Sequence, residues 1–160
     1  MRSLRDNKNQ SSHKSENNKV LVIHIVLSQR RRTTIKPRLR IIIADDNRDV
    51  TAILAGTFGL KGYEVYKTFS AEECLNKVNE LDGRVEIVFV DGKIAADRAA
   101  ILIIKVKRIN PDIKIMALAE DETDKTRVLD YGADEFATKP ISAETIVDKV
   151  SSLLLTTEHR

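Results

Sequence analysis

Three aspartates and a lysine stand where runs of apolar residues stop. Asp45 and Asp46 follow Ile41-Ile42-Ile43-Ala44, and Asp91 follows Val85-Glu86-Ile87-Val88-Phe89-Val90. Lys139, with Pro140 behind it, follows Asp134-Glu135-Phe136-Ala137-Thr138. If these runs are parallel strands, their carboxyl ends surround the crevice in which open α/β sheets bind ligands. Carboxylates gathered there repel one another by roughly 4 kcal/mol per close pair at an effective dielectric near 20. A fold that keeps them together has a use for a divalent cation. An aspartate carboxylate is also a nucleophile toward phosphorus, and phosphoryl transfer demands positioning and charge neutralisation above all. Magnesium suits such a site, because it takes one or two carboxylates, waters and phosphate oxygens.

The elements that must position these residues are regular from Leu39 onward. Strand-like runs at 39–44, 63–67, 85–90, 113–118 and 134–138 alternate with helix-like runs at 47–61, 71–81, 96–109, 121–131 and 143–155. Five such units imply a parallel sheet with helices on both faces. The apolar runs at 41–43 and 87–90 suit strands buried on both sides. In the first helix Val50, Ile53, Leu54 and Phe58 form the expected inner stripe, and Gly62 can take the left-handed conformation past its end. Ser70 and Glu73 make a capping box for the second helix, whose stripe is Ala71, Leu75 and Val78. Asn110-Pro111 stops the third helix, and Gly132 ends the fourth. Ser142 caps the fifth, with Ile141 placed to staple against Ile146.

Size and charge bound the organisation. A chain of 160 residues, 42% hydrophobic, can bury one real core. Residues 1–40 carry eleven Lys/Arg against two Asp/Glu, so the remaining 120 carry 16 against 22. The overall +3 therefore joins a basic arm, residues 1–38, to an acidic domain, residues 39–155, with a short tail at 156–160. The arm's first 18 residues have almost nothing apolar and are expected to be disordered. Three readings of the arm stand: a solvated tail, a contact for nucleic acid or an acidic partner, or translation of sequence upstream of the natural start. No aromatic residue interleaves its basic ones, which weakens base stacking. Its apolar run Val20 to Leu27 is far short of the roughly 20 residues a membrane helix needs, and no signal-peptide pattern surrounds it. With Cys74 as the single cysteine there is no internal disulfide, and the expected compartment is the reducing cytoplasm. No second domain is expected after Leu155.

Each chemical feature has a plainer reading. Asp45-Asp46 can be the cap of the first helix, Asp91-Gly92 a turn, and Lys139 a solvated strand end. Gly56, Gly59 and Gly62 have glycine-fingerprint spacing but sit within and after a helix, where they cannot cradle a dinucleotide. His13, His24 and His159 are scattered, without partner carboxylates. Cys74 reads as a small packing residue.

Taken together, residues 39–155 resemble the receiver domain of two-component response regulators. The likeness is carried by Asp45-Asp46, Asp91, Gly132-Ala133, Phe136 and Lys139-Pro140 in order and spacing. It implies a flavodoxin-like, doubly wound sheet of five strands in the order 2-1-3-4-5, with the site above strands 1, 3 and 5. It also implies that Asp91 is the phosphoacceptor, and that Asp46 and Asp91 bind Mg²⁺ directly while Asp45 acts through water. The Lys93 backbone carbonyl would be a further ligand, Lys139 would pair with phosphoryl oxygens, and the Lys139-Pro140 bond would be cis. The implied partners are a histidine kinase or phosphotransfer protein, and a downstream protein on the face of the fourth helix, fifth strand and fifth helix. A homodimer is also within the family's range.

Two departures from the family pattern matter. Active receivers carry Ser or Thr at the end of the fourth strand, where this chain has Ala117-Leu118. Neither donates a hydrogen bond, so coupling between that position and the switch aromatic, Phe136, is expected to be weak or altered. After Asp91, the run Ile94-Ala95-Ala96-Asp97-Arg98 lacks the usual Met-Pro and Asp-Gly. At the rim, Lys93 and Glu120 lie two residues beyond Asp91 and Leu118. They are read either as a salt bridge that slows hydrolytic water or as two independent surface charges. The leading functional expectation is a stand-alone, phosphorylated response regulator, a switch rather than an enzyme. The alternatives are a pseudo-receiver that binds partners without phosphorylation and a small Mg²⁺-dependent phosphohydrolase.

Overall fold

The computed structural model describes residues 38–92 and 96–155. The arm through residue 37, Lys93 to Ala95 and the tail from 156 lie outside the described residues, and with them His13, His24 and His159. The elements are β1 (Arg40–Ala44), α1 (Arg48–Leu60), β2 (Glu64–Thr68), α2 (Ala71–Glu80), β3 (Ile87–Asp91), α3 (Ala96–Ile109) and β4 (Lys114–Ala119). A 3₁₀ turn at Glu122–Asp124 then leads into α4 (Lys125–Asp130), followed by β5 (Glu135–Thr138) and α5 (Ala143–Leu155). All four strand pairings are parallel, and the sheet order is β2-β1-β3-β4-β5, as the resemblance implied.

The alternation of side chains along each strand splits the interior into two cores, one on each face of the sheet. Ile42, Val88, Val90, Ile115, Ala117 and Phe136 point toward one, with Cys74 and Val78 of α2 and Ile103 and Val106 of α3. Ile41, Ile43, Phe89, Met116 and Leu118 point to the other, with Leu54 and Phe58 of α1 and Ile146 and Val150 of α5. The run Ile41–Ile43 is fully buried because both faces of the strand are covered. Burial also pushes the Cys74 thiol up to about 12, which makes it an inert packing group.

Helix ends follow local chemistry. Asn47 caps α1, its side-chain oxygen accepting from the Asp49 and Val50 amides at 3.0 and 3.2 Å. Ser70 accepts from the Glu73 amide, while the Glu73 carboxylate reaches back to the Phe69 amide rather than to that of Ser70. Ser142 accepts from the Thr145 amide at the start of α5, where Ile141 and Ile146 join the same core. The Asn110 carboxamide closes the α3 exit by bonding the Asp112 amide and the Gly83 carbonyl. Gly62 and Gly132 take φ of +88° and +106° just past α1 and α4.

Two expectations need correction. Ile53 does not join the inner stripe of α1 but is 66% exposed. The inner face is Thr51, Leu54 and Phe58, and Ile53, five residues before Phe58, points about 140° away from it. Thr51 sits buried in its place by donating its hydroxyl to the Asn47 carbonyl at 2.8 Å. The fourth helix, expected over 121–131, is a single 3₁₀ turn plus the six residues of α4. Only Val128 of that short helix is buried, so little packing extends it.

The outer face of α1 carries Gly56 and Gly59, and a Cβ built on either meets nothing within 4 Å. Glycine within a helix is less stable than alanine by roughly 0.5–1 kcal/mol. Gly59→Ala is therefore expected to raise the unfolding free energy by about that amount, read from urea titrations. A destabilised variant would show an unseen neighbour at that position.

Candidate functional site

The site forms because β1, β3 and β5 end together at one edge of the sheet. Parallel registers pair Ile43 with Phe89 and Ala44 with Val90, which sets Asp45 and Asp91 side by side. Asp45 and Asp91 are each 1% exposed, while Asp46 faces solvent. One carboxylate oxygen from each of the three lies within 4.8 Å of those of the other two. Lys139 follows β5 across a cis peptide to Pro140, as the resemblance implied. Its ammonium donates to Asp45 Oδ2 at 2.8 Å and to Asp91 Oδ1 at 2.9 Å.

The plainer reading of Asp45-Asp46 as a helix cap does not hold, because Asn47 fills that role. Asp45 Oδ1 instead accepts from the Asn47 amide at 2.8 Å, so that carboxylate holds the lysine on one side and the turn into α1 on the other. The preference of asparagine for caps was the sequence signal for this division of labour. At the other ends, Thr68 donates to the Ile43 carbonyl at 2.9 Å, and Arg48 lies 4.3 Å over the Phe69 ring. Both contacts anchor the loops beside the acidic pair, and neither was read from the sequence.

The remaining positions separate. Asp91 pairs with Leu118 in the β3–β4 register, so Leu118, not Ala117, stands where the family hydroxyl is expected. Leu118 is 1% exposed and packs in the α1–α5 core, whereas Phe136, 5% exposed, packs in the α2–α4 core. The two expected switch positions thus lie on opposite faces of the sheet. Gly92 fits tightly against the end of β4, where an added Cβ would come within 3.0 Å of Ala119 Cβ and Leu118 O. Glu120 is exposed beside a groove of about 460 Å³, lined also by Val50, Ile53, Leu118, Lys139 and Ile141. Lys93 lies outside the described residues, so the rim pairing with Glu120 does too. A second groove of about 330 Å³ runs between α4, β5 and α5, lined among others by Lys125, Phe136, Thr145 and Lys149.

With this geometry in view, comparison with known proteins is direct. Residues 41–151 match the response regulator receiver domain, and the chain belongs to that family. Transcriptional regulatory protein AruR of Pseudomonas aeruginosa is 25% identical over 125 residues, which cover 75% of this chain and 51% of that one. Response regulator SaeR of Staphylococcus aureus is 28% identical over 116 residues, covering 71% and 50%. The DNA-binding transcriptional regulator NtrC of Azospirillum brasilense is 28% identical over 116 residues, covering 71% and 24%. The chain thus spans about half or less of the curated relatives it matches. A CheY-like receiver domain protein of Methanospirillum hungatei superposes with a TM-score of 0.68 at 22% identity, covering 76% of this chain and 97% of that structure. Members of this family are signalling switches, and an acidic pocket of this type is where they hold Mg²⁺. Among the described residues no helix is long and apolar enough to cross a membrane.

The donor set fits such an ion: two buried carboxylates and one exposed, all oxygen ligands, grouped within reach of a single centre. Without it, Lys139 is the counter-charge. Burial works to lower its pKa, but the hydrogen bonds it donates to Asp45 and Asp91 and their charges outweigh burial and raise it above the ordinary lysine value. A raised folded-state pKa contributes stability that is complete below the unfolded value and is lost as pH climbs through the folded one. Stability is therefore expected to fall at alkaline pH above the ordinary lysine range, and Lys139→Met should remove that fall. The same variant leaves two buried carboxylates uncompensated, costing roughly 3 kcal/mol at neutral pH. Mg²⁺ should restore part of the loss in urea unfolding, and equal stability with and without the ion would contradict the fit.

Proposed function

We propose that this receiver domain accepts a phosphoryl group on Asp91 and passes the state on through protein contacts. The observation that carries this reading is the Lys139 ammonium held between Asp91 and Asp45 at the mouth of the three-carboxylate cluster. In the reaction, an Asp91 carboxylate oxygen forms a bond to phosphorus as the bond between phosphorus and the donor's leaving group breaks. The donor partner is a histidine kinase or phosphotransfer protein. Asp91 is the nucleophile and Lys139 neutralises phosphoryl oxygens. In this reading Asp46 and Asp91 would hold Mg²⁺ directly and Asp45, whose two oxygens accept from Lys139 and the Asn47 amide, would act through water. A divalent cation held there would offset the negative charge of the carboxylate and phosphoryl oxygens. The Lys93 carbonyl is the further ligand in this reading, and the cytoplasm is its compartment.

Output runs through the groove between α4, β5 and α5, where Lys125 and Lys149 flank an acidic and apolar floor. A second reading, a pseudo-receiver that binds partners without phosphorylation, is favoured by Leu118. Loss of a charge-assisted hydrogen bond worth roughly 1.5–3 kcal/mol weakens the hold on a phosphoryl group. It also weakens the link to Phe136, which lies on the other face of the sheet.

Incubation with Mg²⁺ and a small acyl phosphate should give a base-labile adduct of one phosphoryl group per chain, detected by mass. The adduct should vanish in Asp91→Asn and on chelation of the ion. No adduct in the wild-type chain, with partner binding intact, would establish the pseudo-receiver reading instead. Repeated turnover of a phosphoester would point to a phosphohydrolase.

A further inference from the structure

The groove beside Lys139 starts at the carboxylate that receives the phosphoryl group in the reading above. Its volume of about 460 Å³ falls in the range of small-molecule sites. Helix α1 contributes Ile53 and Leu54, the end of β4 contributes Leu118, and the segment after β5 contributes Pro140 and Ile141. Among the described residues that line it, two are charged, Lys139 and Glu120.

Two residues join this groove to Asp91. Lys139 lines it and donates to Asp91 Oδ1 at 2.9 Å. Leu118, 1% exposed, also lines it and stands opposite Asp91 in the β3–β4 register. A hydroxyl at that position would place a polar group between site and groove. Leucine instead carries apolar surface up to the carboxylate. Ile53 lines the groove while 66% exposed, so an apolar group seated there takes its surface out of water.

The chemistry of transfer says what such a space is suited to hold. In an in-line displacement the leaving group lies on the side of phosphorus away from the attacking oxygen. A leaving group directed along this groove meets hydrocarbon beside its body and the Lys139 ammonium at its head. Its complement is an apolar carboxylate, whose charged end stays beside the lysine.

Resting on the reading of Asp91 as phosphoacceptor, we infer that the groove is a leaving-group subsite that selects acyl phosphates of apolar carboxylic acids as small phosphodonors. An Asp91 carboxylate oxygen bonds to phosphorus, the bond from phosphorus to the acyl oxygen breaks, and its electron pair departs with the apolar carboxylate. No proton moves, because nucleophile and leaving group are both carboxylates. Ile53 and Leu118 are then the residues that set donor specificity.

The full chain with Mg²⁺ is offered benzoyl phosphate or acetyl phosphate, and the rate of adduct formation is followed by mass. The preference for benzoyl over acetyl should fall at least about tenfold in Ile53→Asn, a comparison in which the donors' intrinsic reactivities cancel. Leu60→Asn, at a 93% exposed position of the same helix outside the groove, should keep the wild-type preference. Binding gives a readout that needs no reaction. By calorimetry benzylphosphonate should bind at least about tenfold tighter than methylphosphonate, and Ile53→Asn should remove the difference. An adduct whose donor preference is unmoved by Ile53→Asn overturns the subsite and leaves the reading of Asp91 standing. Equal binding of the two phosphonates does the same. No adduct from either donor overturns the reading of Asp91 and the leaving-group role together.

Discussion

One ammonium group shared by two buried carboxylates is the constraint on which the rest of this structure depends. Lys139 stands 2.8 Å from Asp45 and 2.9 Å from Asp91, at the end of a sheet whose two faces are otherwise packed mainly with apolar side chains. Two carboxylates with 1% exposure are costly to bury side by side unless something positive stands between them. The lysine does this from the end of a different strand, and a divalent cation among the three aspartates would do it from the solvent side. Fold stability and phosphoryl chemistry therefore draw on the same electrostatic balance.

The strands that frame this balance also limit how its state can be transmitted. Alternation along β4 sends Leu118 into the core beneath α1 and α5, whereas Phe136 of β5 packs beneath α3 and α4. A hydroxyl at the site mouth would respond to a bound phosphoryl group through a hydrogen bond. A leucine responds only through packing, and its packing partners are those of α1 and α5. Gly92 lies at the same corner, where its lack of a side chain lets the end of β3 lie directly against Ala119.

Helix α1 joins two surfaces. Its N-terminus, capped by Asn47, sets the direction of the acidic pair, and its inner face delivers Leu54 and Phe58 to the core. Phe58 meets Phe89 of the central strand β3 with ring centroids 5.4 Å apart. The outer face is uncharged and bears glycines that the fold itself does not require.

Much was legible in the residues alone. Runs bounded by Asp, Gly and Pro located all five strands to within a residue or two. Strands β1, β3 and β4 read as apolar because both their faces are buried, while the edge strands β2 and β5 carry Glu64, Lys67 and Glu135. Caps at Ser70 and Ser142 and the left-handed glycines at 62 and 132 were legible for a similar reason, since they answer to neighbours within four residues. What could not be read depended on contacts distant in sequence. Only the assembled sheet decided that Asp45 takes the lysine, whereas the Asn47 cap and the outward turn of Ile53 follow from cap preference and the 100° helical step. Likewise, only strand register set Leu118 and Phe136 in separate cores. Local propensity and periodicity fix where an element lies, but which of several competent side chains faces the interior is settled by what the neighbouring strand places opposite it.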